Sequence, residues 1–125
     1  MLADKDVMAT VAVRDLAKAR KFYEGVLGLK QAGEGDAETI VYQAGASKLL
    51  VYRSQFAGTN RATAATWTVG GEIETVVRAL KEAGVTFEHY DMPDTKLQGD
   101  LHIAGTMEVA WFKDPDGNIL AIVNG

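Results

Sequence analysis

The side chains with chemistry to offer are few. His89, in Phe87-Glu88-His89-Tyr90-Asp91, and His102, in Gly99-Asp100-Leu101-His102-Ile103, are the only imidazoles. Glu88, Asp91, Asp100 and Glu108 lie close to them in sequence, so His89, His102 and Glu108 are the weak candidates for a metal or acid–base site. The competing expectation is structural: His89 at a strand edge and His102 hydrogen-bonded within a loop. His102 is the better functional candidate, because the long polar stretch around it is placed to act as a lid. Asp114-Pro115-Asp116-Gly117-Asn118 invites a calcium reading. Counting from Asp114, however, Gly125 stands where a calcium loop needs its closing glutamate. The same five residues are strong turn formers, since Pro115 presets φ, Gly117 allows positive φ, and the Asp and Asn side chains bond to nearby backbone. Gly33-Glu34-Gly35 lacks the third glycine of a dinucleotide fingerprint and opens no helix.

The elements that must position these groups follow from composition and pattern. The 125 residues are 47% hydrophobic and 24% charged, with a net charge of −4. That length predicts a single domain over 1–125 with a substantial core, and that balance excludes disorder. The acidic surplus argues against a nucleic-acid partner. With no cysteine, disulfides, thiolate nucleophiles and cysteine–zinc sites are absent together. No apolar run reaches membrane-spanning length, and Met-Leu-Ala-Asp-Lys-Asp at the start lacks the apolar core of a secretion signal, so a cytoplasmic location without membrane attachment is expected.

Val7 to Val13 reads as a strand covered on both faces. Asp15 is a helix N-cap, and Leu16, Ala19, Phe22, Tyr23, Val26 and Leu27 form one apolar stripe that Gly28 closes. A short strand near 30–33, a strand over 39–44, a turn at Gly45-Ala46-Ser47 and a strand over 48–53 complete a first module, about 5–53. Residues 54–61 read as a linker. The order then restarts in a second module, about 62–125: a strand over 62–69, a helix opened by Gly70-Gly71 with a stripe of Ile73, Val76, Val77 and Leu80, and Gly84 closing it. A strand over 85–90, a polar loop over 91–105 and the terminal hairpin follow. Each half is therefore β-α-β-β-β, a duplicated unit that cannot bury both sheet faces alone.

Val13-Arg14-Asp15-Leu16 running into Phe22-Tyr23 and Leu27-Gly28-Leu29, followed by Phe112-Lys113-Asp114-Pro115-Asp116-Gly117-Asn118, resembles the vicinal oxygen chelate superfamily. That superfamily holds glyoxalase I, extradiol dioxygenases, and the fosfomycin and bleomycin resistance proteins. The resemblance implies an α+β fold in which two βαβββ modules form a curved half-barrel cup, helices outside and ligand inside, in a homodimer. It also implies where a metal would be gripped: a His on the first strand, an acid ending the first half, a His opening the second half and a Glu on the last strand. Those positions fall on Met8, Tyr52, Ala64 (or Ala65, if Gly70-Gly71 shifts the register) and Ala121. A thioether, a phenol and two methyls will not hold a hard divalent cation, so no metal and no cofactor are expected there.

Strand alternation puts Met8 and Thr10 on one face with Ala64 and Thr66 across from them, and Tyr52 and Trp111 as aromatic walls. With Ala121, this makes a mostly apolar ligand pocket, to which Asn60 and Arg61 of the linker add polar reach if they are not simply solvated or in a dimer contact. Trp67 is expected to pack under a helix. The leading expectation is metal-free binding of a small hydrophobic or aromatic molecule, similar to the bleomycin resistance branch. One alternative is a lyase, isomerase or dioxygenase with a relocated metal or acid–base site. The other is a regulatory or interaction module with a vestigial, side-chain-filled cup.

Overall fold

A computed structural model describes residues 1–125. β1 (Ala9–Val13) leads to α1 (Leu16–Arg20), where Asp15 Oδ1 accepts the amide protons of Ala17 at 2.9 Å and Lys18 at 3.2 Å. The helix continues through 21–26 as a wider π-type turn, and Phe22 and Tyr23 are both buried there. Gly28, at φ +74°, ends it in the left-handed region. β2 (Lys30–Gln31), β3 (Thr39–Ala44) and β4 (Ser47–Arg53) complete a sheet in the order β1-β4-β3-β2, with β1 and β4 parallel.

The second half repeats this plan. β5 (Thr63–Thr68), a 3₁₀ turn (Gly70–Glu72) and α2 (Ile73–Glu82) lead to β6 (Phe87–Glu88). After β7 (Lys96–Gln98) and β8 (Leu101–Ala104) come β9 (Met107–Lys113) and β10 (Ile119–Val123). β5 pairs in parallel with β10, β10 with β9, and the far edge of β9 is shared by β8 and β6. The fold is α+β: two mixed sheets that do not close into a barrel, meeting where β1 lies alongside β5. Val11, Val13, Leu49, Val51, Leu120 and Ile122 point to the helix side and form one core with Phe22, Ile73, Leu80 and Phe112.

Three local expectations change. The first strand is covered on one face only, because Met8 and Thr10 are exposed while Val11 and Val13 are buried. The stretch 91–105 is not simply a polar loop. Leu101 and Ile103 alternate with His102, and two-residue turns led by Gly99 and Gly105, each at φ +62°, fold it into the β7–β8 hairpin on the sheet edge. The strand expected over 85–90 shrinks to Phe87–Glu88, since Tyr90 bonds a side chain rather than a ladder partner.

The residues of 54–61 pack rather than dangle. Ala57 is buried, and a Cβ on Gly58 (φ +72°) would collide with the Asp116 carbonyl oxygen. Asp116 belongs to the β9–β10 turn, which joins the halves. Asp114 Oδ2 accepts from the Tyr23 hydroxyl at 2.7 Å and from Asn118 Nδ2 at 2.8 Å, while its Oδ1 accepts from the amides of Asp116 and Asn118, each at 2.9 Å. Asn118 Nδ2 also donates to the Ala12 carbonyl at 2.7 Å, and the Arg14 amide donates to Asp116 Oδ2 at 3.2 Å. Burial and the Asp114 carboxylate push the Tyr23 phenol far above its ordinary value; burial and a 2.8 Å bond to Glu24 raise Tyr42 in the same sense.

Replacing Asp114 by Ala leaves the Tyr23 hydroxyl, the Asn118 amide and two backbone N–H groups without their acceptor, and is expected to lower stability by about 3 kcal/mol in urea unfolding. Tyrosines in the unfolded chain ionise near pH ~10 whereas Tyr23 and Tyr42 in the folded chain do not. Stability is therefore intact below that pH and falls as pH rises above it. Ultraviolet titration should show Tyr23 and Tyr42 protonated until the chain unfolds, and Tyr23→Phe should soften the alkaline loss.

Candidate functional site

The sheet faces away from the helices carry the residues that the sequence assigns to a pocket. On β1 and β4, Thr10 and Tyr52 alternate with the buried valines, with Met8 just before β1; on β10, β5 and β9, Ala121 stands between Thr66 and Trp111. Ala64 lies in the irregularity where the β5–β10 register shifts, since Ile119 opposes Thr63 but Leu120 opposes Ala65. The shift does not alter the chemistry, because β5 reads Thr-Ala-Ala-Thr-Trp-Thr.

These residues do not enclose one cavity. Met8 lines a hollow of about 590 Å³ with Lys5, Asp6, Val7 and the β3–β4 turn, and Met8 and Tyr52 are 38% and 37% exposed. The face is thus open on the side of Met8 and Tyr52, whereas Ala121 on the other sheet is buried. Asn60 Oδ1 accepts the Ala62 amide at 3.1 Å, and Arg61 is exposed. Trp67 faces the helices instead, lining an apolar cavity of about 200 Å³ with Val76, Leu80 and Phe112.

One end of the open face is closed, and sequence reasoning found only part of it. His102 is buried against Trp111, ring centroids 4.8 Å apart and nearly perpendicular, and Tyr90 sits 5.4 Å from Trp111. Trp111 Nε1 donates to Thr63 Oγ1 at 3.1 Å. The Tyr90 amide donates to His102 Nε2 at 2.9 Å, so the hydrogen-bond network assigns the proton to Nδ1. His102 Nδ1 and the Tyr90 hydroxyl are buried with no hydrogen-bond partner. Tyr90 and Thr63 carried no sequence signal beyond their place on a strand edge; the β7–β8 hairpin that seats His102 is what gathers them.

His89 stands edge-to-face beside His102, ring centroids 6.3 Å apart, but its polar contact is to Asp100. Its Nε2 lies 2.8 Å from Asp100 Oδ1, and Lys81 Nζ lies 2.9 Å from Asp100 Oδ2. The bonds from His89 and then Lys81 hold the Asp100 carboxyl below its usual range. Glu108 opposes Ile103 and shares a face with Ala110 and Phe112, opposite to His102. The two imidazoles are thus neighbours while Glu108 is apart from them, and no three His, Asp or Glu side chains come together in metal-binding geometry. The positions at which the superfamily grips a metal do not fit one either. Met8 and the strands β1, β4, β5 and β10 contain no His, Asp or Glu, so no slip of register supplies a ligand.

The family model "Glyoxalase/Bleomycin resistance protein/Dioxygenase superfamily" matches residues 7–122. Among solved structures, a glyoxalase family protein from Bacillus anthracis superposes with a TM-score of 0.73 at 16% identity, covering 98% of this chain and 96% of its own. The fosfomycin resistance protein FosX from Mesorhizobium loti gives 0.69 at 13%, covering 100% and 94%. FosX from Listeria monocytogenes, as an E126Q mutant complexed with Mn(II) and 1S,2S-dihydroxypropylphosphonic acid, gives 0.71 at 13%, covering 100% and 92%. No curated protein is significantly similar in sequence. No helix is long and apolar enough to cross a membrane.

Because the folded pKa of Asp100 is depressed, its stabilising share is present above the ordinary carboxylate value of about 4 and is lost as pH falls through the folded one. Urea unfolding across the acid range should show this loss, and Asp100→Asn should flatten it.

Proposed function

The chain belongs to the glyoxalase/bleomycin resistance protein/dioxygenase superfamily, and from that premise we propose that it binds a small hydrophobic or aromatic organic molecule on its cup face, without a metal, as a sequestering or carrier protein. The observation that carries this reading is the substitution of the metal grip. Met8, Tyr52, Ala64 and Ala121 stand at its positions, Thr10 and Thr66 beside them, and no neighbouring strand residue supplies a ligand. What remains is apolar surface with hydroxyls and an aromatic wall at Trp111, the usual make-up of a small-molecule site.

The open face also bears on assembly. A ligand on a half-covered sheet keeps much of its surface in water, and the exposed Met8 and Tyr52 are apolar surface that a second copy would cover. A homodimer that closes the cup belongs to the same proposal. The absence of cysteine suits a cytoplasmic setting.

The test is thermal and chemical unfolding in the presence of a panel of aromatic and hydrophobic compounds. A ligand at 100 times its Kd should add about 2.7 kcal/mol of stability, while Mn²⁺, Ni²⁺ and Zn²⁺ should add nothing. Trp111→Ala should weaken binding at least tenfold. A stoichiometric metal on protein purified without chelators, or no stabilisation by any compound, would overturn the reading. Sedimentation as a monomer with ligand bound would remove the dimer from it.

A further inference from the structure

The closed end of the cup face holds two polar groups that the rest of the fold does not use. His102 is 1% exposed, and its Nδ1 has no partner; the Tyr90 hydroxyl, in the same cluster, has none either. A buried donor left unpaired is disfavoured by about 1–3 kcal/mol. Here the unpaired state of Nδ1 is imposed. The Tyr90 N–H occupies the Nε2 lone pair at 2.9 Å, which makes Nε2 the acceptor and Nδ1 the donor of this ring. The ring cannot turn over to present a lone pair without forfeiting that bond. His102 is thereby a donor of fixed identity.

Its surroundings say what it would donate to. Trp111 packs edge-to-face on the imidazole at 4.8 Å, Tyr90 lies 6.1 Å from it and the His89 ring 6.3 Å, so the walls are aromatic rings. The nearby charges are spent or outward. Asp100 is held by His89 and Lys81, Glu88 lies 3.6 Å from Lys113, Asp91 is exposed, and Glu108 is on the other sheet face. Lys81 and Lys113 are each already paired with a carboxylate, and the chain carries net charge −4. A neutral acceptor suits this end better than a carboxylate.

We infer that Tyr90, His102 and Trp111 form the recognition end of the ligand site, taking an aromatic molecule that carries a neutral carbonyl oxygen, with His102 Nδ1–H donating to that oxygen. The inference rests on the ligand-binding reading above. The Tyr90 hydroxyl, buried and unpartnered in the same cluster, is the second polar group offered to the ligand.

Acetophenone and ethylbenzene form a matched pair that differs in the oxygen, and benzoate supplies the anion. NMR titration of the full-length protein, following the His102 ring nitrogens and the Trp111 indole, should give a Kd for acetophenone about tenfold below that for ethylbenzene, as one net hydrogen bond to a buried donor provides. Benzoate should bind more weakly than acetophenone. The Nδ1–H signal of the unmodified protein should move downfield with acetophenone and not with ethylbenzene, which reads the bond without any variant. In His102→Leu the two probes should bind alike, and in His102→Asn, which keeps a donor, part of the preference should return. If both aromatics bind equally, or the Nδ1–H signal stays in place, the inference is overturned while the binding proposal stands. If benzoate binds best, the carbonyl assignment is wrong. If no probe binds at all, the binding proposal itself fails.

Discussion

The buried carboxylate of Asp114 is the constraint on which the arrangement depends. Four donors converge on it, two from its own turn's backbone, one from Asn118 and one from Tyr23 of the other half. A charge in a protein interior is tolerated only where its lone pairs are met, and here meeting them requires both modules at once. Asn118 extends the lock by donating to the Ala12 carbonyl as well as to Asp114. The carboxylate therefore does more than shape a hairpin. It fixes the end of β1 against the end of β10's turn, and so sets how the two sheets meet.

Once the sheets are set, alternation sorts every strand residue into two populations. Val11, Val13, Leu49, Val51, Leu120 and Ile122 go under the helices, and Met8, Thr10, Tyr52, Thr66, Trp111 and Ala121 go to the cup face together with Val41, Leu50, Val109 and Val123. This is why the proposed loss of the metal grip does not depend on the irregularity in β5. A register slip exchanges Ala64 for Ala65 or Thr63, none of which ligates a hard ion. The same sorting separates His102 from Glu108 although they lie on adjacent strands, because Glu108 opposes Ile103 rather than His102.

Most of the fold was legible in the sequence because its signals were local and agreed with one another. Asp15, the stripe from Leu16 to Leu27, the glycines that end both helices and the Asp-Pro-Asp-Gly-Asn turn each name their own geometry. The β7–β8 hairpin was missed because its strands are short and exposed, and Lys96-Leu97-Gln98 has no apolar alternation to betray it. Its turns were visible only as isolated Gly-Asp and Gly-Thr pairs within a polar stretch. The recognition end was missed for a different reason. Tyr90, His102, Trp111 and Thr63 come from four separated segments, and what unites them is a hairpin insertion and a backbone N–H on an imidazole, neither of which has a sequence pattern. His102 was foreseen as the better functional histidine and Trp111 as an aromatic wall, but nothing in the sequence joined them to each other or to Tyr90 and Thr63.

A binding site without an ion must find its affinity elsewhere, and the magnitudes say where. A monocyclic aromatic that hides about 150 Å² of apolar surface gains about 4 kcal/mol, while association in water costs at least about 4 kcal/mol in lost freedom. An open sheet face therefore yields almost no net affinity from contact alone, however apolar its residues. Two additions change that balance: covering the ligand's second side, and one buried hydrogen bond whose donor is already desolvated and oriented. The first depends on whatever closes over Met8 and Tyr52. The second is built into the chain, because the His102 Nδ1 is buried and oriented by the Tyr90 N–H before a ligand arrives. On the proposed reading, apolar area supplies the bulk of the attraction, and the single imidazole decides which aromatic molecule receives it.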